Sequence, residues 1–288
     1  MTDPINLAYQ GIDREFAAES ASTRRRFVQG AAATLGGMGM LGLAATPAIA
    51  ANDAQTILDI AATAEVLATI VNTVGAERLG SGARGRGRTD ARGVADLLDN
   101  LGRLLGGDRD RRGDDEGLLG NRARLDEVTT RNIRAAARHE LIHYDVLTGT
   151  LGAKPLAKRI WVPDAVFASP RGLLETLEVG DQIFINAYLI GTTVFGNAGN
   201  GTAARYTGEF MGVEAVHRAL ARQSLGKLGN DHAFMVYDFT EIETAVSLLQ
   251  GAGFGFGAQG SSPGRFYEFD EVKLRTPNPS AVDARSVS

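Results

Sequence analysis

The stretch ELIHYDVLTGTLG at residues 140–152 has a counterpart in EAVHRALARQSLG at residues 214–226. Both follow the pattern E-x-x-H-x7-L-G, and Glu140 corresponds to Glu214 at an offset of 74 residues. On an α-helix, residues i and i+3 share a face, so each glutamate and its histidine point in the same direction. The repetition predicts two similar helical hairpins, each of which brings one Glu–His pair to a shared core.

Four long segments that include these motifs have the apolar periodicity of helices, and they cover residues 54–75, 128–151, 170–195 and 202–225. Ser169 and Pro170 are favourable residues at the start of the third segment, and Gly226 ends the fourth. The long connection 152–169 contains the apolar run IWVPDAVF, which is expected to lie against the helices as it crosses. Such a link suits parallel second and third helices. The predicted fold class is therefore all-α: a four-helix bundle with a long crossover between helices 2 and 3.

The remaining segments divide the chain into a leader at 1–50, a bundle at 51–229 with an insertion at 76–127, and a C-terminal extension at 230–288. The insertion is rich in Gly, Arg and Asp and is too polar to bury a core. The extension is predicted to be irregular, with one short helix at 241–250 that begins with the capping box Thr240-x-x-Glu243. GFGAQG at 255–260 matches G-x-G-x-x-G, but it follows a helix rather than a strand, so no nucleotide site is predicted.

The leader has the pattern of an export signal. The basic residues Arg24, Arg25 and Arg26 precede the apolar run AAATLGGMGMLGLAATPAIA, whose small-x-small ending predicts cleavage after Ala50. The Arg24-Arg25 pair resembles a twin-arginine signal, which implies export through that machinery to the periplasm or the exterior. An uncleaved membrane anchor is the alternative. No other segment is expected to cross a membrane, so no stable membrane insertion is predicted after cleavage.

Composition limits the chemistry available to the chain. The 30 Lys and Arg against 34 Asp and Glu give a net charge of −4, which does not suggest a nucleic-acid-binding protein. The 288 residues include no cysteine, so disulfides, thiolate ligands and iron–sulfur clusters are excluded. Any metal must be held by nitrogen and oxygen ligands.

Candidate ligands occur on all four predicted helices. Glu65 is the only carboxylate near the middle of the first helix, and Asp181 lies near the middle of the third. A charge within an apolar helix is costly unless it is paired or bound to a metal. Two E-x-x-H pairs and one carboxylate from each other helix form the dinuclear site of ferritin-like proteins. The predicted metal ligands are Glu65, Glu140, His143, Asp181, Glu214 and His217. For Asp181 a role as helix cap stays open, because the adjacent Gly180 suits a helix end.

The mature chain resembles the ferritin-like family of desiccation-related proteins. The matching stretches are ILDIAATAEVLATIV, ARHELIHYDVL, DQIFINAY and GVEAVHRALARQSLG, within residues 51–230. The resemblance implies a four-helix bundle with two metal ions. The third-helix carboxylate of the family is usually Glu where this chain has Asp181, and a second first-helix Glu is replaced by Ala68.

The first functional hypothesis is redox chemistry at two iron or manganese ions, as ferroxidase or catalase-like activity in oxidative or desiccation stress. Glu140 and Glu214 would bridge the two ions, while Glu65 and Asp181 would be terminal carboxylate ligands. A non-catalytic protective scaffold is the second hypothesis. Assembly into a homo-oligomer is left open.

A third hypothesis is a zinc protease, because His139-Glu140-Leu141-Ile142-His143 also reads H-E-x-x-H. His139 and His143 would then bind zinc, and Glu140 would activate water. This interpretation leaves Glu214, His217 and Asp181 unexplained. In a bundle, His139 lies one position off the core face and is expected at the surface or beside a ligand.

Overall fold

A computed structural model describes residues 52–81 and 124–282. The predicted leader and most of the insertion lie outside the described residues. The four long helices are α1 (Ala54–Leu79), α2 (Glu127–Gly149), α3 (Pro170–Asn197) and α4 (Gly201–Ser224). Each agrees with a predicted segment within a few residues, so the mostly helical four-helix bundle is confirmed.

The helices pack as two hairpins. The main contacts pair α1 with α2 and α3 with α4, and contacts of α1 with α3 and of α2 with α4 join the hairpins. The second and third helices therefore lie diagonally across the bundle. Side-chain caps begin all four helices: Asp53, Asp126, Ser169 and Asn200 each accept a hydrogen bond from a backbone N–H of the first turn.

The sequence repeat extends to the ends of its helices. Gly152 and Gly226, which close the two repeated motifs, have φ values of 76° and 79°. Side chains other than glycine seldom adopt this left-handed conformation, so glycine favours the turn that follows each helix. The equivalence of the two hairpins is thus visible in the backbone as well as in the ligand pairs.

The C-terminal extension is more ordered than predicted. It contains α5 (Glu243–Gly251), β2 (Gly255–Phe256), β3 (Gly264–Glu268) and α6 (Phe269–Val272), and a 3₁₀ turn at Lys273–Arg275 follows. Strands β2 and β3 pair antiparallel with β1 (Arg159–Pro163) of the crossover, which leads into a 3₁₀ turn at Asp164–Phe167. The mostly helical fold thus carries a small sheet that helical periodicity did not predict, because its short strands pair with a segment about 100 residues away.

Two local predictions for these segments have different outcomes. The predicted capping box is wrong, because α5 begins after Ile242 and no side chain among residues 52–81 and 124–282 caps it. The apolar run of the crossover does lie against the bundle, with Ile160, Val162 and Val166 fully buried.

Helix α1 is the central helix of the described fold. It is long and apolar enough to cross a membrane by length and composition, contrary to the expectation that only the leader would be. Its most apolar 18-residue window is 89% buried against the rest of the protein, as is usual for the core helix of a globular bundle. Glu65 lies near its middle and is fully buried.

Candidate metal centre

All six predicted ligands lie together in the core of the bundle. The side chains come from α1, α2, α3 and α4, and their residues are between 0% and 9% exposed. Atoms of Glu65, Glu140, His143 and Glu214 lie within 4.8 Å of one another, and so do atoms of Asp181, Glu214 and His217. Asp181 lies within α3, which continues to Asn197, so the alternative of a helix cap is excluded.

The two repeated glutamates each face both repeated histidines. For Glu140, Oε2 lies 3.6 Å from Nδ1 of His143, and Oε1 lies 3.2 Å from Nδ1 of His217. For Glu214, Oε1 and Oε2 lie 3.4 Å from the same two nitrogens, one oxygen to each histidine. Each carboxylate therefore spans the space between the imidazoles, which is the placement that a bridging ligand needs.

The outer carboxylates make the two halves of the cluster resemble each other. Oε1 of Glu65 lies 3.4 Å from Nδ1 of His143, and Asp181 shares the second group with His217. The cluster thus offers one histidine and one outer carboxylate on each side of the two central glutamates.

Several ligand atoms find no hydrogen-bond partner within the described residues, although they are buried. These orphaned atoms are Oε2 of Glu65, Oε2 of Glu140, both carboxylate oxygens of Glu214, and Nδ1 of His143 and of His217. Buried polar groups without partners are costly. Four ionised carboxylates with neutral imidazoles carry four negative charges, which two divalent cations would neutralise. The donor set of nitrogen and oxygen atoms suits iron and manganese, and the residues present fit a pair of such ions.

Burial and mutual repulsion shift the acidity of these groups. Complete burial raises the pKa of Glu65 well above its ordinary value, despite the attraction of His143. Burial, together with the neighbouring Glu214, also raises the pKa of Asp181. For Glu140, burial is the largest single influence and would raise the pKa, but His217 and His143 together outweigh it and hold the pKa below its usual range.

The pKa values of the two histidines shift in the direction opposite to the one that burial favours. Burial is the largest single influence on His143 and would lower its pKa, yet Glu65, Glu140 and Glu214 together raise it well above its ordinary value. The pKa of His217 is raised against burial in the same way, chiefly by Glu140. Metal ligands must be deprotonated, so a cation in this cluster would displace protons from these histidines and from the carboxyl groups with raised pKa values.

Two further residues contact the carboxylates from outside the predicted set. The hydroxyl of Tyr188 donates a hydrogen bond to Oε1 of Glu65 and lies in the core. Burial and the adjacent Glu65 raise the pKa of this phenol. Nδ2 of Asn72 lies 3.5 Å from Oε1 of Glu140. Tyr188 ends the stretch DQIFINAY that carries the family resemblance, whereas Asn72 had no such signal beyond its position seven residues after Glu65, which puts both on one helix face. Tyr144, which follows His143 directly, packs against Phe269 instead.

His139 lies beside a ligand rather than among the ligands. Its Nδ1 is 3.0 Å from Nε2 of His217, and the side chain is partly buried. Within the part of the chain that the structure describes, neither group of potential metal ligands includes His139. The zinc-protease interpretation needs His139 and His143 on one ion, and this arrangement argues against it.

Comparison with protein families agrees with the fold and the cluster. The sequence profile of the ferritin-like domain matches residues 53–227, which covers all four long helices and all six clustered side chains. No curated protein and no solved structure gives a significant match. The profile covers more than half of the chain, so this protein belongs to the ferritin-like domain family.

Proposed function

We propose that this protein is a two-metal oxidoreductase that holds two iron or manganese ions in the bundle core. The ligands would be Glu65, Glu140, His143, Asp181, Glu214 and His217. The reaction would be metal oxidation or the removal of peroxide, in defence against oxidative and desiccation stress. When bound, the two ions supply the changes of oxidation state that such chemistry needs.

One observation carries the proposal. Glu140 and Glu214 each turn one oxygen to Nδ1 of His143 and the other to Nδ1 of His217, at 3.2–3.6 Å. A cluster that served only to stabilise the fold would be expected to satisfy its buried polar atoms internally. Here the orphaned atoms are the ones that metal ions would contact.

The surrounding residues have roles that follow from their contacts. Tyr188 holds Glu65 in place by its hydrogen bond, and Asn72 approaches Glu140 through its amide N–H. Phe210 covers the ring of His143, with 4.2 Å between the centroids. These contacts keep bulk water from the cluster and fix the orientation of the ligands, as partners of metal ligands commonly do.

The deciding measurement is the metal content of protein purified from its native compartment. We expect close to two iron or manganese ions per chain by elemental analysis, and their loss in a Glu140→Ala variant. A Glu209→Ala variant is the matched control, because Glu209 is an exposed helical glutamate whose ion pair in the described part of the chain is with Arg205. Fewer than about one ion per chain would overturn the proposal, since metals that contribute to folding are retained in purification.

A protective scaffold without turnover is the second candidate. It is favoured by Ala68, which leaves the first helix with one core carboxylate, and by the shorter side chain of Asp181. If the chain carries two ions but neither oxidises ferrous iron nor consumes peroxide, the scaffold is the better description.

Export is a separate part of the proposal, and the leader sequence alone supports it. If the twin-arginine route is used, replacing Arg24 and Arg25 together by Lys should hold the protein in the cytoplasm. The Arg26→Lys variant serves as control and should be exported normally. The exported form should begin at Ala51, as N-terminal sequencing would show. Export of the double variant at the normal level would contradict the twin-arginine route.

A further inference from the structure

A small cavity borders one half of the metal cluster. It has a volume of about 30 Å³ and is lined by Asp181 and His217, with mainly apolar walls that include Ala136 of α2 and Ala221 of α4. A cavity needs roughly 10–15 Å³ on this measure to hold one water molecule. The space therefore suits a ligand of two or three non-hydrogen atoms.

One residue that lines the cavity carries a hydrogen-bond acceptor that lacks a donor within the described residues. Asn72 lines it and is 2% exposed. Its Nδ2 faces two acceptors, the carbonyl oxygen of Ala68 at 3.1 Å and Oε1 of Glu140 at 3.5 Å, which fixes the orientation of the amide. Oδ1 is then left buried without a hydrogen-bond partner in the described structure. An acceptor in this state gains free energy from any ligand that donates a hydrogen bond.

The other half of the cluster is covered by aromatic rings. Phe210 lies over His143, and Tyr188 packs against Phe210 with 5.5 Å between ring centroids. A second cavity, of about 20 Å³, borders Tyr188, but its lining is almost wholly apolar and includes none of the six ligands. The two halves of the cluster therefore differ in what can approach them, although their ligands are similar.

We infer that hydrogen peroxide is the small molecule that this cavity admits, and that it reaches the cluster from the Asp181–His217 side with Asn72 Oδ1 accepting its hydrogen bond. The inference rests on the proposed function and narrows it. Hydrogen peroxide has two oxygen atoms and an O–H group to donate, so it matches both the volume and the unpaired acceptor. Dioxygen fits the volume but has no proton to donate.

Binding is tested on the full chain loaded with cobalt(II), whose visible absorption reports a new ligand. Hydroxylamine is the donor-bearing probe, because it is isoelectronic with hydrogen peroxide, and azide is the probe without a donor. Ala136→Leu should weaken the binding of hydroxylamine at least tenfold, while the cobalt content stays at the wild-type level. Ala221→Leu narrows the cavity from the opposite wall and gives the same test if Ala136→Leu fails to fold. Ala245→Leu, which lies in the second cavity, is the matched control and should bind both probes normally.

The role of Asn72 is tested by Asn72→Leu, which keeps the size of the side chain and removes both the acceptor and the N–H that approaches Glu140; azide binding reports any effect of the lost N–H. The affinity for hydroxylamine should fall severalfold, whereas the affinity for azide should not change. Equal weakening of both probes would overturn recognition of the donor and leave water as the occupant of the cavity. If Ala136→Leu and Ala221→Leu both bind hydroxylamine as tightly as the wild type, the inference that the ligand reaches the cluster through this cavity is overturned. A chain that takes up no cobalt would refute the proposed function itself, and the inference with it.

Discussion

Nε2 of His217 lies 3.0 Å from Nδ1 of His139, and the two imidazole rings stack with 7° between their planes. Nδ1 of His217 faces the carboxylates, so a metal ion at that nitrogen requires the ring proton to be on Nε2. Burial, aided by His217, lowers the pKa of His139 to about 4, so His139 is neutral and its Nδ1 can accept a hydrogen bond from Nε2–H of His217. The contact thus selects the tautomer of His217 that a metal ligand needs.

This contact predicts unequal effects of two histidine substitutions on metal content. His217→Ala should strip metal from its half of the cluster. His139→Ala removes only the partner of a ligand, and its effect should be at the low end of the 10- to 100-fold loss of affinity that such partners show. Metal content and affinity, measured by elemental analysis and chelator competition, check both expectations. His232→Ala in the extension is the control. A larger loss in His139→Ala than in His217→Ala would revive the zinc-protease interpretation.

Neutralising the two central glutamates should make the free energy of unfolding independent of added metal ions. Without a metal, the raised pKa values of His143 and His217 let their imidazolium groups pair with these carboxylates, so Glu140→Gln with Glu214→Gln should lower the melting temperature of the metal-free protein. In the wild type, metal at 100 times its Kd should add about 2.7 kcal/mol to the free energy of unfolding. The double variant should gain none of it. Thermal unfolding with and without added manganese measures both effects. If added metal does not change the melting temperature of the wild type, the hypothesis of a protective scaffold is favoured.

Asp181 is the ligand whose length should matter most. The adjoining cavity gives room for one more methylene group, so Asp181→Glu should fold and bind metal at least as tightly as the wild type. Asp181→Asn should weaken the ion beside His217, on the order of 10-fold or more. Competition with a chelator reports the two affinities. Glu175→Gln, six residues earlier on α3, is the control because its carboxylate pairs with Arg171 outside the cluster. Normal metal content in Asp181→Asn would remove this residue from the ligand set.

An ion pair away from the cluster should make stability depend on pH. Arg218 donates two hydrogen bonds, of 2.8 and 2.9 Å, to the carboxylate of Asp231, and Arg222 forms an ion pair with the same carboxylate at 3.0 Å. The hydrogen bonds from Arg218, which outweigh partial burial, hold the pKa of Asp231 at about 2. Asp231→Asn should therefore cost about 1–2 kcal/mol at pH 7, as loss of a charge-assisted hydrogen bond does.

The cost of Asp231→Asn should vanish at low pH. Because the pKa of Asp231 is lower in the folded protein, the carboxylate contributes its full stabilisation at pH values above the unfolded pKa of about 4. This contribution fades as the pH falls from about 4 toward 2. Urea unfolding at pH 7, 4 and 2.5 measures the difference between variant and wild type. The exposed Asp270, which pairs with Lys273, provides a control substitution of small effect. A difference that stays constant down to pH 2.5 would contradict the assignment.

Local pattern in the sequence was enough to predict the bundle and the membership of its cluster. Helical periodicity located the four long helices to within a few residues, because burial of an apolar face repeats with the turn of the helix. The i, i+3 spacing placed Glu140 with His143 and Glu214 with His217 for the same reason. Glu65 and Asp181 were identifiable because a lone charge in an apolar helix needs a partner.

Tertiary structure decided the contacts between residues far apart in sequence. The pairing of β1 with β2 and β3, the hydrogen bond from Tyr188 to Glu65 and the contact of His139 with His217 join segments about 80 to 120 residues apart. None has a local signal, because the direction of a side chain across a helix interface depends on how the helices pack. The sequence therefore determined which residues enter the core, while packing determined which atoms meet there and which side of the cluster borders a cavity.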